Sequence, residues 1–434
     1  MDKMADVLGR AGAWCGQNKY LSAIKNAFQN FMPLTIAGAI GVLWCNVLVN
    51  DQTGLGLFFK PIMALDFLNP AFQAVNFCTI SCITVGITLG IAQEIGVWNM
   101  GAERAGYIPS LVGLAAWLSV TNTSHMVDGA KEAFTGIAGN ELGATGLFTG
   151  MIIGVLSVEL FCFFEKQDAL KIKMPEQVPP GVARAFEVLV PATITLIITA
   201  CIGSACYNLT GLYLNDVIKN GIQGPLGAVG ATIPGVMIIY LVIMLFWLVG
   251  IHGNNMLSAV KEALFTPLAL ENVEAFNKGE TPKNIINMYA LQMWGEFGGS
   301  GVTIGLVIAI MIFGKREDNK AIATLSLVPG LFNINETVTF GIPMVLNPIL
   351  GIPFVVAPLV TIIIGYVLTV IGFCPVACLT VPWTTPPIVF GFLACGANVM
   401  GAVTQAILIV VSTVIYVPFL ISYEKYQNKQ AAEA

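Results

Sequence analysis

Three side chains in the second half of the chain have the type and setting to do chemistry. Glu336 sits in GLFNINETVTFGIP, among Leu331, Phe332, Ile334, Val338 and Phe340 and flanked by Asn333 and Asn335. A carboxylate in such an apolar run costs at least ~2.5 kcal/mol on membrane-insertion scales, so it marks function by default. It can orient a hydroxyl or accept its proton. The alternative is a carboxylate that caps a helix break through backbone N–H groups. His252, in WLVGIHGNN, follows an apolar run and is bracketed by Gly250 and Gly253, with Asn254 and Asn255 alongside. The glycines permit close backbone approach, and the amides add donors and acceptors. Trp383 lies in VPWTTPP, an aromatic on a proline-stiffened loop with Thr384 and Thr385 beside it. Such a ring can stack on the C–H face of a sugar. It can equally be an interfacial tryptophan.

A Glu with His, Asn and Trp suits a neutral, hydroxyl-rich ligand better than an ion. Trp247 and Trp294 read as packing residues, and Glu296, beside Gly298-Gly299-Ser300-Gly301, as a possible cavity liner. Glu94 and Arg104 read as helix-end residues able to pair, and Glu159 as a boundary carboxylate that reaches toward water. His125, Asn140 and Glu141 read as loop residues. With two histidines, no CxxC pair and cysteines almost all in apolar stretches, no metal site is expected. Cys78/Cys82 and Cys374/Cys378 share helix faces by coincidence of spacing. There is no GxxxxGK[ST], HExxH or Ser-nucleophile motif, so neither an ATP-driven module nor an intramembrane hydrolase is indicated, and no cofactor is expected.

The elements that must hold these residues follow from composition. Of 434 residues, 56% are hydrophobic and only 10% charged, against ~25% charged in soluble domains. Mean hydropathy is +0.80. So few charges cannot keep a chain this long in water. With net charge −5 and no basic patch, nucleic acid is excluded as a partner. Continuous apolar runs argue against a β-barrel. The fold class is an all-α polytopic membrane protein. No cleavable signal peptide is visible in residues 1–30.

Apolar runs able to cross a bilayer lie near 31–49, 72–95, 106–120, 143–164, 188–207, 232–250, 298–313, 351–373 and 397–421. Lys3, Arg10, Lys19 and Lys25 put the N-terminus in the cytoplasm, and Lys166, Lys171, Lys173 and Arg184 follow the fourth run there. The outer loops as far as the sixth run carry only Lys60, Lys131 and Lys219. For KREDNK at 315–320 also to be cytoplasmic, an extra crossing is needed, and the polar run 251–270 is the candidate. This arithmetic gives about ten transmembrane helices with both termini inside. Two apolar stretches remain. The first, 322–350, carries Pro329, Gly330, Gly341, Pro343 and Pro348, and the second, 374–395, carries Pro375, Pro382, Pro386, Pro387 and Gly391. Both are expected to be re-entrant or broken-helix segments, the kind of backbone that builds transporter sites. The charged stretch 165–187 is expected to enter, through its prolines, an amphipathic helix on the cytoplasmic face. It separates an N-terminal membrane block, 1–187, from a C-terminal block, 188–434, with the boundary within 165–210.

GIHGNN, GLFNINE-x-V-x-FGIPMVLNP and PWTTPP, in this order and spacing, resemble the sugar-transporting enzyme IIC subunits of the bacterial phosphoenolpyruvate-dependent phosphotransferase system, in the lactose/cellobiose/diacetylchitobiose branch. AIKNAFQNFMPLTIAGAI and MPEQVPPGVARAFEVLVP extend the likeness over most of the chain. The resemblance implies a homodimer of ten-span protomers in the bacterial cell membrane, with the first half dimerising and the second binding sugar. It implies that Glu336 contacts the hydroxyl that receives phosphate, that His252 holds the same ring and that Trp383 stacks on the sugar, with Asn335 and Asn254 as further contacts. The phosphoryl donor it implies is a phosphocysteine on an enzyme IIB partner, expected on another chain because no soluble segment here is long enough. One departure is Thr337 after Glu336, where many relatives have proline. The competing reading is an ion-coupled secondary transporter that moves a neutral sugar unmodified.

Overall fold

The computed structural model describes Arg10 and residues 13–14, 17–51, 55–125, 134–175, 177–342, 344–345 and 347–433. Lys3, Lys131 and Pro343 lie outside the described residues. Among the described residues the regular structure is helical apart from a two-residue antiparallel ribbon that pairs Ser124 with Thr135 and His125 with Phe134. It forms two compact units. One gathers Gln17–Gly38 and Asn76–Ala228, the other Ala39–Val75 and Val229–Ala434.

The first unit holds α1 (Lys19–Leu43) as far as Gly38, then α2 (Ile83–Met100), α3 (Ile108–Val120), α4 (Ala144–Glu165) and α5 (Pro180–Thr210). Helices α2, α3 and α4 pack on one another around Ile87, Ile91, Ile95 and Trp117, all fully buried. Small residues let them approach closely, as they do between helices in lipid. A Cβ on Gly150 of α4 would sit 2.3 Å from Thr88 Oγ1 of α2. At one end of this unit Arg104 and Arg184 both grip Glu165 Oε1, at 2.7 and 2.8 Å, and each also reaches Glu187.

The second unit comprises α6 (Ile233–Leu248), α7 (Ser258–Asn277), α8 (Met288–Gly295), α9 (Ile304–Phe313), α10 (Glu317–Leu331), α11 (Glu336–Gly341), α12 (Gly351–Val370), α13 (Val389–Ala394) and α14 (Val399–Glu433). Its core includes Tyr240, Trp247, Trp294, Phe354 and Tyr416.

Five helical stretches are long and apolar enough to cross a membrane: Lys19–Leu48, Ala144–Glu165, Pro180–Thr210, Gly351–Val370 and Val399–Glu433. Two bent pairs, Lys60–Ser81 with Ile83–Met100 at 43° and Met288–Val302 with Ile304–Phe313 at 60°, raise the number to seven among the described residues. Ile108–Val120 and Ile233–Leu248 are apolar but shorter.

Three differences from the sequence expectations have local causes. The apolar run at 298–313 is not one helix, because left-handed Gly298, Gly299 and Gly301 break it ahead of α9. The separate amphipathic helix expected from the 165–187 stretch does not form. Pro180 starts a helix there, but the helix continues unbroken to Thr210, with Pro191 inside it. The polar run 251–270 is a short turn, Gly253–Met256, followed by α7, which extends on to Asn277. The two proline-rich stretches are broken as expected. Residues between α10 and α11 form a four-residue break, and no helix forms between Val370 and Val389.

Candidate functional site

His252 is set by the end of α6. The helix stops at Leu248, Gly250 turns the chain at φ +81°, and His252 caps the turn Gly253–Met256. Its Nδ1 accepts the Asn255 backbone N–H at 3.2 Å. A ring nitrogen that accepts carries no proton, so the neutral imidazole presents its N–H at Nε2. That Nε2 lies 3.8 Å from Glu336 Oε1, with side chains 38% and 46% exposed. The gap is too long for a direct hydrogen bond. One hydroxyl oxygen at about 2.8 Å can touch both groups, accepting from the imidazole and donating to the carboxylate. Trp247 flanks the ring, with centroids 4.5 Å apart.

Glu336 opens α11, directly after the break in the apolar stretch. Its neighbour Asn335 is buried and anchors the break, its Nδ2 donating to Ser300 O at 2.9 Å and to Thr339 Oγ1 at 3.2 Å. Ser300 also receives Asn254 Nδ2 on its hydroxyl at 3.0 Å. Thus Asn254, Ser300 and Asn335 tie the His252 turn, the glycine-rich break and the Glu336 turn together. The close approach requires Gly299, at φ +86°, where a Cβ would lie 2.7 Å from Asn335 Cγ. Asn254 Oδ1 is buried and without a partner, an acceptor suited to a hydroxyl donor.

The Trp383 loop is fastened by Asn333. This residue adopts φ +62°, accepts the Gly298 N–H at 2.7 Å, and donates to the carbonyls of Trp383 and Thr385, at 2.5 and 3.1 Å. On the far side of the loop, Gln405 Oε1 takes the N–H groups of Ile388 and Gly391, at 2.7 and 2.8 Å. The Trp383 side chain itself is left 43% exposed.

The structure therefore brings His252 and Glu336 face to face and links Asn254 and Asn335 through Ser300. Among the described residues, the hydrogen bond that joins Trp383 to the same assembly is the one its backbone carbonyl accepts from Asn333. Ser300, Asn333 and Gln405 were not singled out from the sequence as site residues. Asn333 was visible there only as a polar flank of Glu336, and Gln405 gives no signal inside its apolar run.

Other carboxylates have different partners from those the sequence suggested. Glu296 does not stand free as a cavity liner, because it binds Lys261 Nζ and the Tyr240 hydroxyl, the latter at 2.7 Å. Glu94 does not pair with Arg104 but accepts Asn26 Nδ2 at 2.8 Å, while Arg104 takes Glu165 and Glu187. Glu159 meets Lys19 at 2.5 Å. Trp247 and Trp294 are core residues, 2% and 1% exposed. His125 lies in the short ribbon and Glu141 in the turn Gly139–Leu142.

Residues 25–358 match the family described as "Phosphotransferase system, EIIC". The chain belongs to that family. The oligo-beta-mannoside-specific EIIC component of Bacillus subtilis is 32% identical over 98% of this chain and 94% of its own length. The cellobiose-specific EIIC component of Lactococcus lactis is 31% identical over 98% of both chains. The crystal structure of the transporter ChbC, the IIC component of the N,N'-diacetylchitobiose-specific phosphotransferase system, superposes with a TM-score of 0.88 at 29% identity, over 97% of each chain. This EIIC chain is an integral protein of the bacterial cell membrane and a sugar permease of the phosphotransferase system.

Proposed function

We propose that this EIIC chain binds a disaccharide of the β-glucoside type, such as cellobiose, diacetylchitobiose or lactose, and carries it inward coupled to phosphorylation by an enzyme IIB partner. The observation that supports this best is the His252–Glu336 pair, 3.8 Å apart and half-exposed. In this reading the hydroxyl to be phosphorylated, the C6 hydroxyl of the non-reducing ring, sits between them. His252 Nε2–H donates to its oxygen, and Glu336 receives or orients its proton. The phosphocysteine S–P bond of enzyme IIB breaks as the O–P bond forms, and the hydroxyl proton leaves toward Glu336. Trp383 stacks on a sugar face, while Asn254 and Asn335 support the ring and the turn that holds it.

The wider organisation belongs to the same proposal. Ten crossings place both termini in the cytoplasm, with the short helices α3 and α6 and helix α7 counted among them. The block 1–187 makes a homodimer contact, and the block 188–434 binds the sugar and moves it across the membrane.

The test uses membrane vesicles loaded with phosphorylated enzyme IIB and given labelled disaccharide outside. Uptake that requires phospho-IIB and yields sugar phosphate inside is expected. Uptake driven by an ion gradient, with free sugar inside, would favour the secondary-transporter reading. Glu336→Gln is expected to lower phosphate-coupled uptake by roughly 100-fold or more, and wild-type rates in that variant would remove Glu336 from the mechanism.

A further inference from the structure

The chain segment that presents Trp383 leaves α12 at Val370 and returns to helix at α13, Val389–Ala394. Its two legs meet at the base. The Cys378 and Leu379 N–H groups both donate to Ala394 O, at 2.8 and 3.1 Å. Beside this closure the Cys374 and Cys395 sulfurs lie 3.8 Å apart. Both thiols also converge on one acceptor, Pro375 O, at 3.4 and 3.3 Å. They are 1% and 4% exposed and free. Cys378, four residues after Cys374 in the sequence, is not the thiol that lies against it.

We propose that Cys374 and Cys395 are a reversible dithiol–disulfide site that staples the base of the Trp383 loop. A bonded pair needs sulfurs at about 2.04 Å. The thiols already face each other across a shared acceptor, and bonding requires their sulfurs to close from 3.8 Å to that length. The legs are held in place independently by the Ala394 carbonyl and, beyond α13, by Gln405.

The oxidant is a small peroxide, because burial excludes bulky reagents. Peroxide converts one thiol to a sulfenic acid, releasing one water as the O–O bond breaks. The second sulfur then attacks, the S–S bond forms, the S–O bond breaks, and the hydroxyl leaves with the second thiol's proton as water. Two thiols are oxidised by two electrons and one peroxide is reduced to two waters. A dithiol reductant reverses the step.

The test exposes purified full-length protein in detergent to hydrogen peroxide, quenches it, and counts unfolded-state thiols. Peptide mapping follows, with and without reductant. Loss of two thiols per chain is expected, with a Cys374–Cys395 cross-linked peptide that disappears on reduction. Cys378→Ser is expected to leave the cross-link intact, whereas Cys374→Ser and Cys395→Ser each abolish it. The two near-isosteric variants guard against loss through misfolding, which thermal unfolding of each reports. A full thiol count after peroxide, or a cross-link between other cysteines, would overturn the assignment. The readout contains no sugar, so it stands or falls apart from the transport reading.

Discussion

His252 turns its two ring nitrogens to different tasks: Nδ1 accepts the Asn255 N–H at 3.2 Å, and Nε2 faces Glu336 Oε1 at 3.8 Å. The cap thereby selects the tautomer that points an N–H at the carboxylate. This makes the pair directional. One group donates, the other accepts, and a hydroxyl fits between them.

That directionality gives the first prediction. His252→Gln retains a donor but lacks the fixed ring, while Glu336→Gln retains shape but not the proton acceptor. Glu336→Gln is expected to lower the phospho-IIB-dependent transfer rate by roughly 100-fold or more, with a smaller change in sugar affinity. His252→Gln is expected to weaken both. Equilibrium sugar binding and single-turnover phosphorylation, measured side by side, check the split.

Asn333 is the fastener between the glycine-rich break and the Trp383 loop. Asn333→Ala removes three hydrogen bonds and leaves the Gly298 N–H without its acceptor. The groups left behind are part-buried or exposed, so a cost of about 1 kcal/mol is expected for the lost hydrogen bonds. The effect should appear as weaker disaccharide binding and a lower Tm. Asn333→Asp keeps the Gly298 contact but sets a carboxylate against two carbonyls, and should loosen the loop as well. Unchanged affinity in both variants would detach the loop from the site.

Lys261 and Glu296 form a pair that is 7% and 17% exposed. Removing one partner strands a charge in a low-dielectric core. Lys261→Met is expected to destabilise the protein by about 3–5 kcal/mol, and Lys261→Met with Glu296→Gln is expected to recover much of that loss. Thermal unfolding of the single and double variants gives the coupling directly.

Gly299→Ala tests the close approach to Asn335. It adds a Cβ at 2.7 Å from Asn335 Cγ in a left-handed backbone position at φ +86°. A loss of about 1–3 kcal/mol is expected from backbone strain alone, and the Asn335–Ser300 contact should break. Sugar binding is expected to fall more than it does for Gly181→Ala, where the added Cβ meets nothing within 4 Å.

The amino-acid sequence determined the class of this protein and singled out the side chains proposed to react. Scarce charge and long apolar runs can be stable only in lipid, and lipid admits helices whose backbones satisfy themselves. Glu336, His252 and Trp383 were legible because each is a costly residue in an apolar or proline-broken setting. That same density of glycine and proline announced the breaks at 332–335 and ahead of Val389. What the sequence could not reveal was pairing. Local pattern carries no distance, so Glu296 read as a cavity liner, whereas Lys261 and Tyr240, 35 and 56 residues away, meet it in the fold. Cys374 and Cys378 read only as a coincidence of helical spacing, and nothing local announced that the chain turns back to bring Cys395 to Cys374. The imidazole tautomer, the bridging role of Ser300 and the reach of Asn333 across 50 residues to Trp383 are likewise properties of tertiary packing. They depend on which buried donors find which acceptors, and only the folded chain decides that.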